Sequence, residues 1–381
     1  MKKYQIITLS ISLCLAIGIL CYPADPLANT LPPQQQTNTY EEMLAEFGLA
    51  SRMEHHGVPG ISFGVIKDGE LEWAKGYGVL QAGAEEEVDP ETLFSVGSIS
   101  KVGTAVMILK LHEAGILDID QDVNNYLTSW QVPENNHTRE REVSLRHILS
   151  HTAGLTVHGF ADFLPNEKLP NTVQILNGSG PAKNNPVYVN IPVGSRFRYS
   201  GGGTTVSQMV IEDQQGKRFH EAAGSMLFDA LGMKRSSYEN PLPGEVGNIA
   251  KAHNSSGRPV ALPRGYQSMP EAAASGLWTT PTDLSQMIIM LMEAYEGEHD
   301  YLSQALVKDM MTPVQPGDYG LGPEIEEGSN GTRFQHGGAN DSYRAKFIGS
   351  LGTKNGIIIF TNGSSGSNLI NELLPLFESL L

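Results

Sequence analysis

The sequence predicts an α/β fold: an antiparallel sheet assembled from both ends of the chain and flanked by helices, with a mostly helical second lobe. Residues 61–66 and 71–77 are strand-like runs joined by an Asp-Gly turn, which is a strong hairpin signal. Two further strand-like runs, at 343–348 and 356–360, lie near the other end of the chain. The residues between carry helical patterns and loops rich in Pro, Gly and Asn. We therefore expect two lobes with a cleft between them.

The helices are predicted from apolar residues that recur at helical spacing. With 381 residues, the chain is long enough for one large domain or two ordinary ones, with ample core. A Thr280-Pro281 pair is typical of a helix start. Expected helices cover residues 40–56, 98–113, 143–149, 204–212, 219–231, 284–295 and 368–380.

The first 28 residues have the order of a secretory signal peptide. Lys2 and Lys3 precede an apolar run from Ile6 to Leu20, and a polar stretch with small residues follows. The apolar run is shorter than the ~20 residues that a bilayer span needs, and no later stretch is long and apolar enough. We therefore expect an exported protein, periplasmic or secreted, with no integral membrane span in the mature chain.

A disordered linker is expected after the signal peptide, because residues 29–39 are rich in Pro, Gln, Asn and Thr. Residues 40–381 then form the folded domain. Its α/β lobe is expected to comprise residues 40–115 and 276–381, and its helical and loop lobe residues 116–275.

Both cysteines lie in the signal segment, at Cys14 and Cys21. The mature domain is therefore expected to contain neither a disulfide nor a reactive thiol. Lipid modification of Cys21 is an alternative, but Leu20 is larger than the residue that lipoprotein processing prefers at that place.

The charge of the chain excludes two classes of partner. The formal net charge is −16, and it becomes −17 when Lys2, Lys3 and Asp25 are removed with the signal segment. Such an acidic body repels nucleic-acid phosphates and anionic membrane surfaces. We therefore expect no nucleic acid as a partner, and the sequence leaves the oligomeric state open.

Ser98 is the strongest local candidate for chemistry, because it follows an extended apolar piece and Gly97 and begins a helix. Lys101 lies three residues on, on the same helix face. A serine hydroxyl becomes a nucleophile when a base takes its proton, and a desolvated lysine amine can be part of that base. Backbone N–H groups at the helix start also favour negative charge there. Alone, Ser-x-x-Lys is a weak signal, and a helix N-cap followed by a solvated lysine is the more common explanation of it.

Two downstream segments complete the candidate site. Tyr199 precedes the glycine-rich turn 201–203 that opens a helix, and His336 precedes Gly337 and Gly338 just before an expected strand. Taken singly, the first is compatible with a buried aromatic beside a helix start, and the second with a surface turn.

In this order and over this span, Ser-x-x-Lys, Tyr-x-Gly and His-Gly-Gly resemble the serine β-lactamase and penicillin-binding-protein superfamily. The resemblance is closest to class C β-lactamases and to related D-stereospecific peptidases and esterases. It covers nearly the whole mature chain and includes residues 94–101, 149–155, 276–281 and 360–363. It implies a β-lactamase/transpeptidase-like fold and a serine hydrolase that needs no cofactor and no metal.

The resemblance implies a role for each matching residue. Ser98 is the expected nucleophile that forms an acyl-enzyme, and Lys101 and Tyr199 are its expected proton-transfer partners. Which of the two takes the first proton is left open, because a phenol with a pKa near ~10 needs a neighbouring cation to act as an anion. The oxyanion hole is expected from the backbone N–H groups of Ser98 and Ala339.

Substrate contacts are expected from His336, Gly337, Gly338 and Gly201. The two glycines at 337 and 338 would let a strand edge approach the substrate. In related β-lactamases an asparagine stands at the place of Gly201 and a lysine at the place of His336, which is largely neutral at pH 7. His151 is expected to hold its loop by hydrogen bonds.

The sequence therefore favours hydrolysis of an ester or small amide, because both handles for β-lactam recognition are absent while the acyl-transfer residues are present. The alternatives are a D-stereospecific peptidase or DD-carboxypeptidase, and a weak class C-like β-lactamase. A hypothesis of another class is a non-hydrolytic sensor that binds peptidoglycan fragments, which the presence of Ser98, Lys101 and Tyr199 disfavours. A small-molecule ester, amide or peptide is the expected partner, and its identity is left open.

Overall fold

The computed structural model describes residues 33–328 and 331–381. The predicted signal peptide, residues 1–28, lies outside the described residues. The strands are β1 (Gly60–Lys67), β2 (Glu70–Gly78), β3 (Phe94–Ser95), β4 (Trp278–Thr279), β5 (Glu324–Gly328), β6 (Gly331–Asn340), β7 (Tyr343–Ser350) and β8 (Gly356–Thr361).

The helices occupy both ends and the middle of the chain. They are α1 (Pro33–Phe47), α2 (Leu49–His56), α3 (Ser100–Glu113), α4 (Asn136–Glu140), α5 (Leu145–Leu149), α6 (Thr172–Asn177), α7 (Gly201–Gln215), α8 (Phe219–Ala223), α9 (Asp229–Leu231), α10 (Ala272–Ser275), α11 (Pro281–Glu296), α12 (Gln304–Met310) and α13 (Gly366–Leu373). Short 3₁₀ helices cover Gly97–Ile99, Val123–Tyr126 and Leu374–Phe377, and a π-helical turn covers Gly224–Phe228.

The central sheet has six strands in the order β2-β1-β8-β7-β6-β5. β1 pairs with β2, its neighbour in sequence, and with β8 from the other end of the chain. Every pairing in this sheet is antiparallel. The prediction of one antiparallel sheet built from both ends of the chain is therefore confirmed.

Each face of the sheet buries its own core. Successive strand residues point to opposite faces, so alternate residues of β8 enter different cores. Ile357 and Ile359 pack into the smaller core, with α1, α2 and α13, whereas Ile358 and Phe360 pack into the larger core, with α3, α7 and α11. All six residues of β8 are buried in these two cores. Because protein cores are closely packed, the residues of the neighbouring strands are held in fixed positions.

The N-terminal helical region differs from the prediction in two ways. The expected single helix over 40–56 is divided at Gly48, whose positive φ of 75° ends α1 before α2 begins. The helix also begins at Pro33, so residues 33–39 are helical and the predicted linker was too long. Once a helix is nucleated, adding residues to its end is much easier than starting a new one.

Two elements near the C-terminus also differ from the prediction. The expected helix over 368–380 ends as α13 at Leu373 and continues as a 3₁₀ turn, because Pro375 has no N–H to donate within a helix. His336 does not precede a strand but lies within β6. Among the described residues, no helix combines the length and the hydropathy that a membrane span requires.

Candidate functional site

The predicted nucleophile lies on a tight turn at the start of α3. Ser98 is the middle residue of the 3₁₀ turn Gly97–Ile99 and is half-buried. Gly97 has a positive φ of 51°, and a Cβ there would lie 2.5 Å from the backbone nitrogen of Ala339. The turn is secured by Ser100, whose hydroxyl donates to the Gly97 carbonyl at 2.5 Å and accepts from the Leu277 N–H at 2.9 Å. Glycine at position 97 thus allows the turn to contact β6.

Lys101 contacts the hydroxyl of Ser98 directly. Its Nζ lies 3.0 Å from Ser98 Oγ and donates to the carbonyl of Ala274 at 2.7 Å. The side chain is 4% exposed, and this burial lowers the pKa of Lys101 from 10.5 to about 7. An amine with such a pKa is present in both its charged and neutral forms near neutral pH.

Tyr199 contacts the same serine from another part of the chain. Its side chain hydrogen-bonds with that of Ser98, and Lys101 Nζ lies 4.9 Å from its ring centroid. Burial raises the pKa of Tyr199 above 10, and the hydrogen bond with Ser98 offsets only part of this rise. The neighbouring Ser200 caps α7 by accepting from the Gly203 N–H at 2.9 Å, and its hydroxyl donates to the Thr156 carbonyl at 2.8 Å. The phenol is therefore held in place, in its neutral form.

His151 packs against the ring of Tyr199 and hydrogen-bonds with the loop that contains Tyr199 and Ser200. The two ring centroids are 4.2 Å apart, and His151 Nδ1 accepts a hydrogen bond from the Ser200 N–H at 3.2 Å. Burial drives the pKa of His151 well below 6.5, with the charge of Lys101 as the next cause. The prediction that His151 holds its loop by hydrogen bonds is confirmed.

Strand β6 lies against the nucleophile turn at Gly338. A Cβ on Gly338 would lie 1.8 Å from the Val96 carbonyl oxygen and 3.4 Å from the Ser98 nitrogen. Asn340, at the end of the strand, fastens this contact by donating to Ser95 Oγ at 2.7 Å and to the Ser275 carbonyl at 3.0 Å. The backbone segments that contain the Ser98 and Ala339 amides are therefore in direct contact.

Gly337 has a different environment from Gly338. It is exposed, and a Cβ there would meet only the Ala345 carbonyl oxygen, at 3.9 Å. The expectation that both glycines allow close backbone approach therefore holds for Gly338, whereas Gly337 leaves open space above the strand.

His336 is buried and uncharged. It is 2% exposed, its Nδ1 lies 2.6 Å from the Gly337 carbonyl oxygen, and its Nε2 is buried without a hydrogen-bond partner. Burial, followed by the charge of Lys101, lowers the pKa of His336 to about 3. The imidazole therefore offers an acceptor nitrogen and no positive charge.

Gly201, which was predicted to contact the substrate, is covered by a loop and does not line the cleft around Ser98. A Cβ on this residue would lie 3.0 Å from Phe160 Cε2 and 3.1 Å from the His158 carbonyl oxygen. Its N–H donates to that same carbonyl at 3.0 Å. The start of α7 is thus covered by the loop that contains His158 and Phe160, and a side chain at 201 would point into that loop.

The other predicted site residues converge on one cleft of about 660 Å³. This size is typical of a small-molecule site. Lys101 lies buried behind Ser98, and the cleft wall includes aromatic and charged residues that the sequence patterns did not single out. The lining residues include Ser98, Tyr199, His336, Gly337, Gly338, Ala339, Phe197, Tyr319, Glu324 and Lys346.

Two of the residues that sequence reasoning missed form an aromatic wall. The rings of Phe197 and Tyr319 are stacked with centroids 5.2 Å apart, and Tyr319 also meets the edge of His151 at 5.2 Å. Phe197 lies two residues from Tyr199 and could have been suspected, but Tyr319 lies in no recognisable motif.

A second groove, larger than this cleft, lies away from the predicted site residues. The groove, about 1090 Å³, lies between α1, α2 and the end of β2 and contains none of the predicted site residues.

Within residues 33–328 and 331–381, no group of three or more His, Cys, Asp or Glu side chains is arranged to hold a metal ion.

The chain is similar to several known proteins. The family model described as Beta-lactamase matches residues 49–373. Teichoic acid D-alanine hydrolase of Staphylococcus aureus is 23% identical over 267 residues, which cover 68% of this chain and 61% of that protein. A Beta-lactamase of Providencia stuartii is 28% identical over 276 residues, which cover 69% of this chain and 66% of that protein. The chain therefore spans less than two thirds of the length of these relatives.

A solved structure extends the likeness to the fold. The Beta-Lactamase/D-Alanine Carboxypeptidase from Pseudomonas syringae superposes with a TM-score of 0.67, covering 88% of this chain and 98% of that chain. The two sequences are 20% identical, so this likeness concerns the fold alone.

Proposed function

The chain belongs to the beta-lactamase family and is a hydrolase of that family, and we propose that it is an exported serine hydrolase that cleaves an ester or small amide through an acyl-enzyme on Ser98. One observation carries the proposal. Lys101 Nζ lies 3.0 Å from Ser98 Oγ and has a pKa lowered to about 7, so a neutral amine is available beside the hydroxyl at neutral pH.

Acylation begins at this contact. Ser98 Oγ attacks the carbonyl carbon of the substrate, and its proton passes to the neutral amine of Lys101. Tyr199 is a poor first base, because burial holds its pKa above 10 and its phenol is protonated. We therefore assign the first proton transfer to Lys101, and to Tyr199 the passage of that proton to the leaving group.

The oxyanion of the tetrahedral intermediate is stabilised by the N–H groups of Ser98 and Ala339, whose backbone segments are in direct contact through Gly97 and Gly338. When the intermediate collapses, the bond to the leaving oxygen or nitrogen breaks and the leaving group takes the proton. Water then attacks the acyl-enzyme by the reverse proton path, which releases the acid and restores the Ser98 hydroxyl.

The charge pattern of the cleft supports an ester or small amide over a β-lactam. His336 is neutral and cannot pair with a carboxylate as a lysine would. A relative named teichoic acid D-alanine hydrolase makes release of D-alanine from an acceptor a second candidate function. D-peptidase and weak β-lactamase activities follow next, and a non-hydrolytic sensor is the remaining alternative.

Export is supported by the basic and then apolar order of residues 2–20. It is tested by expressing the full chain with a C-terminal tag and comparing its mass in the exported fraction with that of the unprocessed chain. An unprocessed chain retained inside the cell would contradict it.

The hydrolase assignment is tested with residues 33–381, which include the whole of α1, and with the Ser98→Ala variant of the same chain. Both are treated with a fluorophosphonate probe, a fluorescent penicillin and p-nitrophenyl butyrate. We expect rapid ester turnover and slow penicillin labelling, both lost in Ser98→Ala. Rapid penicillin hydrolysis would favour the β-lactamase, and stable penicillin labelling without ester turnover would favour the peptidase or the sensor.

A further inference from the structure

The amine of Lys101 is held by α10, a helix of four residues with almost no polar side chains of its own. α10 consists of Ala272, Ala273 and Ala274 followed by Ser275, and all four residues are buried. The Ala274 carbonyl accepts a hydrogen bond from Lys101 Nζ at 2.7 Å. Alanine side chains cannot form hydrogen bonds. The position of this carbonyl is therefore set by groups that other elements bring to the α10 backbone.

Gln208 of α7 supplies the hydrogen bond that the start of α10 needs. The first N–H groups of a helix have no partner within that helix. The N-cap residue of α10, Glu271, makes no capping hydrogen bond with its side chain. Instead, the Ala273 N–H donates to Gln208 Oε1 at 3.1 Å. Gln208 is 3% exposed, so water does not compete for this contact.

The neighbours of Gln208 fix the direction in which its amide points. Its Nε2 donates to Thr172 Oγ1 at 3.1 Å and to Glu212 Oε1 at 3.2 Å. The hydroxyl of Thr172 donates to the same Glu212 oxygen at 3.1 Å, so it accepts from Gln208. Because both neighbours present accepting oxygens, the NH₂ group faces them and the amide oxygen faces Ala273. The network thus holds one orientation of the Gln208 side chain.

The Ala274 carbonyl orients the amine that it holds. The hydrogen bonds of Lys101 Nζ go to the Ser98 hydroxyl and to this carbonyl. A neutral amine has two N–H bonds and one lone pair. When one N–H donates to the Ala274 carbonyl, rotation about the Cε–Nζ bond is restricted, and the lone pair can face the proton of the Ser98 hydroxyl.

The titratable groups that face Lys101 are uncharged near pH 7. Burial raises the pKa of Tyr199 above 10, lowers that of His336 to about 3 and drives that of His151 well below 6.5. The pKa of Lys101 therefore depends on its burial and on its two hydrogen bonds, and no neighbouring charge dominates it.

We propose that Gln208 is a positioning residue for the Lys101 base: by accepting from the Ala273 N–H it fixes α10, whose Ala274 carbonyl orients the amine toward Ser98. The inference rests on the proposed function, because it concerns the base of the acylation step. Gln208 does not line the cleft and takes no part in proton transfer. Its effect on the reaction passes through the α10 backbone.

The test removes the hydrogen bond while nearly keeping the size of the side chain. Gln208→Met has a similar length, and its thioether is only a weak acceptor for the Ala273 N–H. Gln214→Met is the matched control, because Gln214 lies on the same helix, is half-buried, and donates to the Tyr126 carbonyl at 2.8 Å, a contact that does not involve α10. Hydrolysis of p-nitrophenyl butyrate is measured between about pH 5 and 9, together with urea unfolding of each variant.

We expect Gln208→Met to lower kcat at high pH by about tenfold or more with little change in KM, because the lone pair of Lys101 is no longer held toward Ser98. The midpoint of the rise in kcat/KM should move from about 7 to a lower pH, by about half a unit or more. The reason is that a hydrogen bond to a carbonyl favours the charged ammonium, so its weakening lowers the pKa of Lys101. Gln214→Met should keep both the midpoint and kcat.

An unchanged midpoint in Gln208→Met would overturn the proposal even if kcat falls, because loss of activity alone would reflect altered packing. If Gln208→Met does not fold, Gln208→Asn is measured in its place. Its amide is one methylene too short to reach Ala273, so the same shift is expected, and an unchanged midpoint would again overturn the proposal.

An NMR titration separates this proposal from the hydrolase assignment. In Ser98→Ala labelled with ¹³C-lysine, the Cε signal of Lys101, assigned by its loss in Lys101→Arg, is followed with pH, with and without Gln208→Met. We expect Gln208→Met to lower the pKa of Lys101 by about half a unit or more. This shift, in a protein whose unchanged chain hydrolyses no ester, would support the positioning of Lys101 and refute the proposed function. Hydrolysis that depends on Ser98, with the pKa of Lys101 unchanged by Gln208→Met, would refute this inference and leave the hydrolase assignment intact.

Discussion

The contact between Gly338 and the nucleophile turn leads to the sharpest prediction. In Gly338→Ala the added methyl would lie 1.8 Å from the Val96 carbonyl oxygen and 2.8 Å from its carbonyl carbon. Val96 has little freedom to give way, because its N–H donates to the Leu277 carbonyl at 3.0 Å. Strand β6 must therefore move away from the turn by about 1.6 Å to restore an ordinary contact distance of 3.4 Å.

That displacement would separate the two amides proposed to form the oxyanion hole. A misplacement of about 1 Å at a reacting centre can cost about 10²-fold, and loss of one oxyanion donor costs about 10²–10³-fold in kcat. We therefore expect Gly338→Ala to lower kcat for p-nitrophenyl butyrate by about 10²–10³-fold. The overpacked contact should also lower the free energy of unfolding by about 1–3 kcal/mol.

Gly337→Ala is the matched control for folding. Its methyl faces open space on the same strand, so its free energy of unfolding should equal or slightly exceed that of the unchanged chain. Steady-state ester hydrolysis and urea unfolding are measured for both variants. A folded Gly338→Ala with nearly unchanged kcat would refute the reasoning, because the close approach of β6 to Ser98 would then not matter for catalysis.

Three further predictions concern titrating groups. Ester kcat/KM should rise with pH through about 7 and then level off, because neutral Lys101 is the proposed base; a flat profile between about pH 5 and 9 would contradict that role. Tyr199→Phe should slow acylation by about 10²-fold or more, while the midpoint of its thermal unfolding changes little. A near-native acylation rate would remove the phenol from the mechanism. Burial raises the pKa of Asp162 to about 7 and that of Glu271 to about 8, whereas the unfolded chain has the usual 3.8 and 4.5. The folded state therefore holds protons that the unfolded state releases, and the free energy of unfolding should fall as pH rises from about 4 to 8, by at most about 4 kcal/mol per group. Asp162→Asn should flatten this dependence in urea titrations at several pH values, and an unchanged slope would show that the carboxyl is not buried in its neutral form.

The nucleophile segment and the sheet were predictable from the sequence because their signals are local. The Asp-Gly turn between β1 and β2 sets a hairpin through backbone conformations that few residues adopt readily. Ser98 and Lys101 share a helix face because three residues make nearly one helical turn. Their contact follows from that spacing, and the structure has them 3.0 Å apart.

The tertiary structure decided which residues line the cleft and which of their side chains are charged. The pKa of His336 falls because distant parts of the chain exclude water from its ring, and no neighbouring residue in the sequence signals this. Gly201 lies under a loop and outside the cleft for the same kind of reason, since its surroundings come from His158 and Phe160.

Lys346 illustrates what remained beyond sequence reasoning. It comes nine residues after Gly337, yet the register between β6 and β7 makes the two direct neighbours. The sequence by itself determined which chemistry-bearing residues the chain carries and which local elements hold them. Only the tertiary structure decided which of them share a cleft and which are charged there, because both depend on packing between segments that are distant along the chain.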